Sequence, residues 1–151
     1  WPCGVRNVTA KLSIIIPCFH DEAALSNLLP ILQIAGQDYD TEVIVVDGAA
    51  SSECERIARE NNAVYSQEAA SRGKQIIKGV ALATGQIYWF LHADAIIEET
   101  YVKLVFETVD DGVNNTVRAG FFRFAFAGKK TIIKQFLEFW VCWLKPYHRC
   151  Q

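Results

Sequence analysis

Leu12-Ser-Ile-Ile-Ile-Pro-Cys-Phe-His-Asp-Glu22 and Glu42-Val-Ile-Val-Val-Asp-Gly48 are the stretches on which the fold turns. Each is a β-branched run that stops at a turn residue, and neither alternates apolar with polar side chains. A strand with one wet face alternates, so runs of this kind are strands buried on both faces, as in a parallel sheet covered by helices. The first run is expected to end at Pro17 and the second to leave the sheet abruptly at Asp47-Gly48. Between them Leu25, Leu28, Leu29 and Leu32 recur at helical spacing from Asp21 and Glu22 to Ala35, with Gly36 as the stop. Pro30 lies inside that stretch and is expected to kink or split it.

The same alternation continues along the chain. Ser52 with Glu55 three residues on has the spacing of a capping box and opens a helix through Ile57 and Ala58 to Asn61. Residues 63–66 read as a short third strand. Ser71-Arg-Gly-Lys74 leads into a helix whose Ile76, Ile77, Val80 and Ala81 share a face, closed by Gly85 as its C-cap. Residues 86–91 form the fourth strand and run directly into His92-Ala-Asp94. Glu98 and Glu99 favour the start of another helix, with Tyr101, Val102, Val105 and Val109 on one side. Strands alternating with helices argue for βαβ units, so the fold class is α/β with a mostly parallel sheet flanked by helices.

Composition agrees. Of 151 residues 51% are hydrophobic and 21% charged, with 15 basic against 17 acidic side chains and a net charge of −2. That is an ordinary globular domain, and it excludes disordered, collagen-like and small disulfide-scaffold chains. With no basic run beyond Lys129-Lys130, no nucleic-acid partner is expected. Cys3, Cys18, Cys54, Cys142 and Cys150 are odd in number and contain no C-x-x-C pair, which reads as free thiols in a reducing cytoplasm. The N-terminus lacks the apolar run of a signal peptide. The segment 131–144 is apolar nearly all round but too short to span a bilayer. Core packing is its first reading, with a homodimer contact or peripheral attachment to a membrane as the others. The chain contains no methionine, which suggests a piece of something longer.

In a parallel sheet ligands sit beyond the carboxyl ends of the strands. Three of those ends carry polar residues: Phe19-His-Asp-Glu22 after the first strand, Asp47 after the second, and His92 with Asp94 after the fourth. Each has a plain structural alternative, since Asp21 and Glu22 could cap a helix, Asp47-Gly48 could be a turn, and a lone His-x-Asp is weak evidence for a metal. Together they favour a site, because turns chosen only for geometry need not put carboxylates at successive ends of one edge.

The order of motifs resembles glycosyltransferase family 2, the inverting sugar-nucleotide transferases with a GT-A fold. Ser13-Ile-Ile-Ile-Pro-Cys-Phe-His-Asp-Glu22 is similar to the family's Ile-Pro-x-x-Asn-Glu opening, and Val45-Val-Asp-Gly48 to its second strand end. Ser71-Arg-Gly-Lys-Gln-Ile-Ile-Lys-Gly79 is similar to the Arg-Gly-x-Gln-x-x-x-Gly helix start, and Phe90-Leu-His-Ala-Asp94 to the His-Ala-Asp form of the metal-binding Asp-x-Asp. Ala119-Gly-Phe-Phe-Arg-Phe124 resembles the strand that follows. The spelling is closest to a branch labelled arsenosugar-biosynthesis-like, a label that leaves the acceptor open.

The resemblance implies a Rossmann-like GT-A domain over residues 11–126, after an N-terminal extension of residues 1–10. Residues 127–151 would begin a truncated acceptor-binding region, leaving the fold incomplete on that side. It implies a nucleoside diphosphate-sugar donor, UDP-linked by default, an unknown acceptor and a divalent Mg²⁺ or Mn²⁺. Asp47 would accept the ring N–H of the base, Pro17 and Phe19 would give apolar contact, and Asp21 would stand in the usual Glu place. Arg72 and Lys78 would face the diphosphate, and Asp94, with His92, would hold the metal. The chain departs from the pattern at His20, where the family has Asn, and at residues 49–53, where Gly-Ser-x-Asp is usual. The general base of the family lies beyond the strand near Phe124, and no matching motif precedes Gln151. The alternative reading is therefore a non-catalytic remnant that binds nucleotide-sugar or pairs with another chain. Nucleotidyltransferases and Rossmann dehydrogenases are disfavoured, because Pro17-Cys-Phe-His20 stands where their Gly-rich phosphate loop would follow the first strand.

Overall fold

The computed structural model describes residues 10–110. Along them run β1 (Leu12–Cys18), α1 (Glu22–Gly36), β2 (Thr41–Asp47), α2 (Ser52–Glu60), β3 (Val64–Gln67), α3 (Arg72–Leu82), β4 (Ile87–Phe90) and α4 (Thr100–Asp110). The strands form one sheet in the order β3-β2-β1-β4, every neighbouring pair parallel, with Leu12 to Cys18 in register with Thr41 to Asp47 and Leu12 to Ile15 with Ile87 to Phe90. This is the α/β class expected. The chain steps outward from β1 to β3 and then returns to the far side of β1. Because βαβ crossovers are right-handed, that reversal puts α1 and α2 on one face of the sheet and α3 on the other.

The two faces are packed differently. On the first, Leu12, Ile14, Ile16 and Cys18 of β1 join Leu25, Leu28, Leu29 and Leu32 of α1, Cys54, Ile57 and Ala58 of α2, and Val102 and Phe106 of α4. The Phe106 ring stacks on Tyr39 at 4.8 Å. On the second face Ile15, Ile44 and Val46 form a small cluster with Ala83. Here α3 approaches through Gly79, where a Cβ would collide with Cγ2 of Ile15. Smallness at the contact, and not an apolar stripe, decides which side of α3 faces the sheet. The buried residues are Gln75 and Gly79, whereas Ile77 is 71% exposed and Val80 and Ala81 are also exposed, so the apolar face of α3 is not the one turned to the sheet.

Other boundaries move for local reasons. β1 runs through Pro17 to Cys18. Leu12 N–H bonds to Asp40 and the Cys18 carbonyl receives Gly48 N–H, while the Ile15 carbonyl receives Leu91 N–H. Even-numbered residues therefore pair toward β2 and odd-numbered ones toward β4. Pro17 is odd and has no N–H to give the Leu91 carbonyl, so pairing toward β4 stops after Ile15 while pairing toward β2 carries on to Cys18. Helix α1 is continuous across Pro30, which is exposed, so that water can reach the carbonyl it leaves unpaired. The cap of α2 is Ser51, whose Oγ accepts from Cys54 N–H at 3.3 Å, and not Ser52. The far end of α2 closes with Asn62 in the left-handed region (φ 54°), Ala63 N–H reaching the Ala58 carbonyl and Asn62 N–H the Arg59 carbonyl.

Gly85 does not cap α3, which ends at Leu82 with Ala83 at the cap position. It is glycine because a Cβ would stand 2.5 Å from the Lys11 carbonyl oxygen and 2.6 Å from Ser13 Oγ. At that edge, opposite the strand ends of interest, Glu42 ties the sheet together. Its carboxylate accepts from Ser13 Oγ at 2.6 Å and Thr84 N–H at 2.6 Å, and pairs with Lys11 Nζ at 3.0 Å. Burial pushes the Glu42 carboxyl up, but the hydrogen bonds from Ser13, Thr84 and Lys11 outweigh it and hold the pKa at about 2. The strand expected at 119–124, the boundary at residue 126, the apolar segment 131–144 and the side chain of Val109 lie outside the described residues. Among the described residues no helix is long and apolar enough to cross a membrane.

Candidate functional site

The strand order reverses between β1 and β4, and in open α/β sheets the crevice at such a reversal is where ligands bind. Pro17, Cys18 and Phe19 stand on one side of it, and the turn after β4 stands on the other. That turn is closed by Ala95 N–H to the His92 carbonyl at 3.1 Å. It buries Ala93 and leaves Asp94 exposed and His92 half-buried. Pro17 is half-buried at the rim, and the Phe19 ring, 49% exposed, lies 4.3 Å from the His20 ring.

The loops after β1, β2 and β3 meet at Gly48. A Cβ there would lie 3.0 Å from the Ala70 Cα, 3.2 Å from Phe19 Cδ2 and 3.2 Å from Gln75 Nε2. Two of these loops hold a non-glycine residue in the left-handed region, His20 at φ 57° and Ala50 at φ 53°. Each costs about 1–2 kcal/mol relative to ordinary backbone, and such positions cluster at ligand sites. Histidine and asparagine both tolerate this region, which gives a physical reason for His20 to stand in an Asn position.

Asp47 is fully buried, and its carboxylate is already engaged. Oδ1 accepts from Ala49 N–H at 2.8 Å, and Oδ2 from Ser51 N–H at 2.6 Å and Tyr65 Oη at 3.1 Å. The carboxylate, read from the sequence as the acceptor for the ring N–H of a base, holds the loop 48–51 from beneath. Tyr65 was missed. Burial first, then the Asp47 carboxylate, pushes its pKa up to about 12, so the phenol keeps its proton and donates. Its aromatic character in a short strand was the one sign available.

Gln75 was also missed as a site residue, although it lies in the Arg-Gly-x-Gln stretch. It is 4% exposed, and its Nε2 donates to the Cys18 and Val46 carbonyls, both at 2.8 Å. Arg72 opens α3 at the same edge and is exposed, with Ser71 at the cap position making no side-chain cap. Lys78 is half-buried and lies six residues farther on, about 9 Å down the helix from Arg72 and away from the rim. Asp21 is exposed at the cap position of α1, where its carbonyl accepts from Leu25 N–H and its side chain makes no capping bond.

Among the described residues no group of three or more His, Cys, Asp or Glu side chains could hold a metal ion. Among the described residues, Asp94 and His92 are the candidate ligands that this turn offers. One or two ligands suit Mg²⁺ or Mn²⁺ held jointly with phosphate oxygens and water, and do not suit a structural site such as zinc, which needs four.

Glycosyl transferase family 2 matches residues 13–148 of the chain. Among solved structures, glucosyl-3-phosphoglycerate synthase from Mycobacterium tuberculosis, crystallised with Mn²⁺, uridine diphosphate and glucosyl-3-phosphoglycerate, superposes with a TM-score of 0.60 at 18% identity. The superposition covers 69% of this chain and 41% of that one. Mannosyl-3-phosphoglycerate synthase from Rubrobacter xylanophilus superposes with a TM-score of 0.60 at 13% identity, over 69% and 38% of the two chains. The chain thus spans about two fifths of the length of these structures, and at such identities the likeness is one of fold. No curated protein matches the chain.

Proposed function

The chain belongs to glycosyl transferase family 2, and from that membership we propose that it binds a UDP-linked sugar at the β1/β4 crevice and serves its transfer, with inversion, to an acceptor hydroxyl. The observation that carries the reading is the convergence of the loops after β1, β2 and β3 on Gly48, beside the crevice that the Asp94 turn closes on its other side. The base lies against Phe19 and Pro17, on a floor formed by the loop that Asp47 and Tyr65 hold in place. Arg72 meets the diphosphate with fixed positive charge, assisted by the uncapped N–H groups at the start of α3. Lys78 contributes long-range charge only.

Asp94 and His92 would hold the divalent cation, which when bound would supply a Lewis acid for the charge that develops on the departing diphosphate. A carboxylate and an imidazole make a donor set better matched to Mn²⁺ than to Mg²⁺. Calorimetric titration of the chain with UDP, with and without Mn²⁺, tests the reading. Metal-dependent binding that Asp94→Ala removes is the expected result. Absence of metal-dependent binding, or binding indifferent to Asp94→Ala, refutes it.

A further inference from the structure

Gln75 is the buried polar side chain of α3, and its surroundings explain why it is an amide. One nitrogen must donate twice, to the Cys18 and Val46 carbonyls at 2.8 Å each. A carboxylate offers no donor, and an ammonium would bring a charge whose burial is costly. The Cys18 carbonyl also receives Gly48 N–H at 2.9 Å, so a single oxygen joins β1, the start of the β2 loop and α3. The residues that follow the two carbonyls are those at the rim, Phe19 after Cys18 and Asp47-Gly48 after Val46. Arg72 stands three residues before Gln75, one turn along the same helix. The amide therefore couples the turn that carries Arg72 to the strand ends that carry Phe19 and Gly48.

We propose that Gln75 is a positioning residue that fixes the separation between the base side and the diphosphate side of the donor site, an inference that rests on the function proposed above and deepens it. A nucleoside diphosphate spans both sides. Uridine meets only the first, and pyrophosphate with Mn²⁺ only the second. Loosening α3 from the strand ends leaves each half-site intact but spoils their spacing, so the ligand that bridges them suffers most.

The experiment titrates uridine, manganese pyrophosphate and UDP with Mn²⁺ against the native chain, Gln75→Met and Gln75→Glu. UDP binding should weaken about tenfold in both variants while each half-ligand changes by less than about threefold. Equal changes for all three ligands, or none, in a variant whose circular dichroism matches the native chain would overturn the proposal. Should neither variant fold, the native chain decides the matter: the Gln75 Nε2 proton resonances should shift with UDP and Mg²⁺ but not with uridine, and an absence of that difference is equally fatal. A native chain that binds no UDP at all would instead defeat the functional reading itself.

Discussion

Asp47 shows how one buried carboxylate can hold a loop in place at the rim of a sheet. Three donors converge on it, and the tyrosine among them is kept protonated by burial and by the carboxylate it serves. Tyr65→Phe removes one donor and leaves the two backbone N–H groups, so it should cost about 1 kcal/mol in denaturant unfolding and weaken UDP binding a few-fold. Asp47→Asn puts an amide where two N–H groups need acceptors, and should cost more, about 1–3 kcal/mol. Glu42 makes the corresponding case at the opposite edge. Its pKa is lowered in the folded chain, so the stabilisation it gives is complete above its ordinary value near 4.5 and is lost as pH falls toward about 2. The full shift corresponds to roughly 3 kcal/mol as an upper bound. Unfolding free energy measured between pH 6 and pH 2 should fall along that window in the native chain, and Glu42→Gln should flatten that part of the decline.

Helix α3 is the element where glycine positions make the sharpest contrast. A Cβ at Gly79 would collide with Ile15, whereas one at Gly73 would meet nothing within 4 Å. Gly79→Ala should therefore destabilise the chain by about 1–3 kcal/mol through overpacking. Gly73→Ala should stabilise it by about 0.5–1 kcal/mol through the lost flexibility of the unfolded state. Thermal melts of the two variants should move in opposite directions. The same helix marks the limit of what patterning reveals. The β1 and β2 runs announced a buried parallel sheet because β-branched residues without alternation have few other uses. The apolar face of α3 does not indicate which side meets the sheet, because that contact is made by Gly79 and by an amide whose partners are 57 and 29 residues away. Pro17 was read as the strand end, and it does end the pairing toward β4, but the pairing toward β2 that continues to Cys18 depends on a strand 24 or more residues away. Ser51 was overlooked because the bond from its N–H to Asp47 sets the cap one residue early. Local spelling carries local geometry, and these features depend on distant partners or on the bonding of a neighbouring loop.

Taken as a whole, the described residues present a polar and an apolar surface at one edge of the sheet and a hydrogen-bonded network around Glu42 at the other. Sequence located the first edge, since the polar residues after β1, β2 and β4 could be aligned from topology alone. What the sequence hid was burial within it: Asp47 and Gln75 are buried and hydrogen-bonded, whereas Phe19, Arg72 and Asp94 are exposed. The central claim is that these exposed groups border a single donor site. Backbone amide NMR of the chain titrated with UDP and Mg²⁺ tests it most directly. The largest shifts should fall together on residues 17–20, 48–51, 71–75 and 92–95; saturable shifts confined to other parts of the sheet, or reaching the β1 and β2 ends without the Asp94 turn, would show that no single donor site lies there.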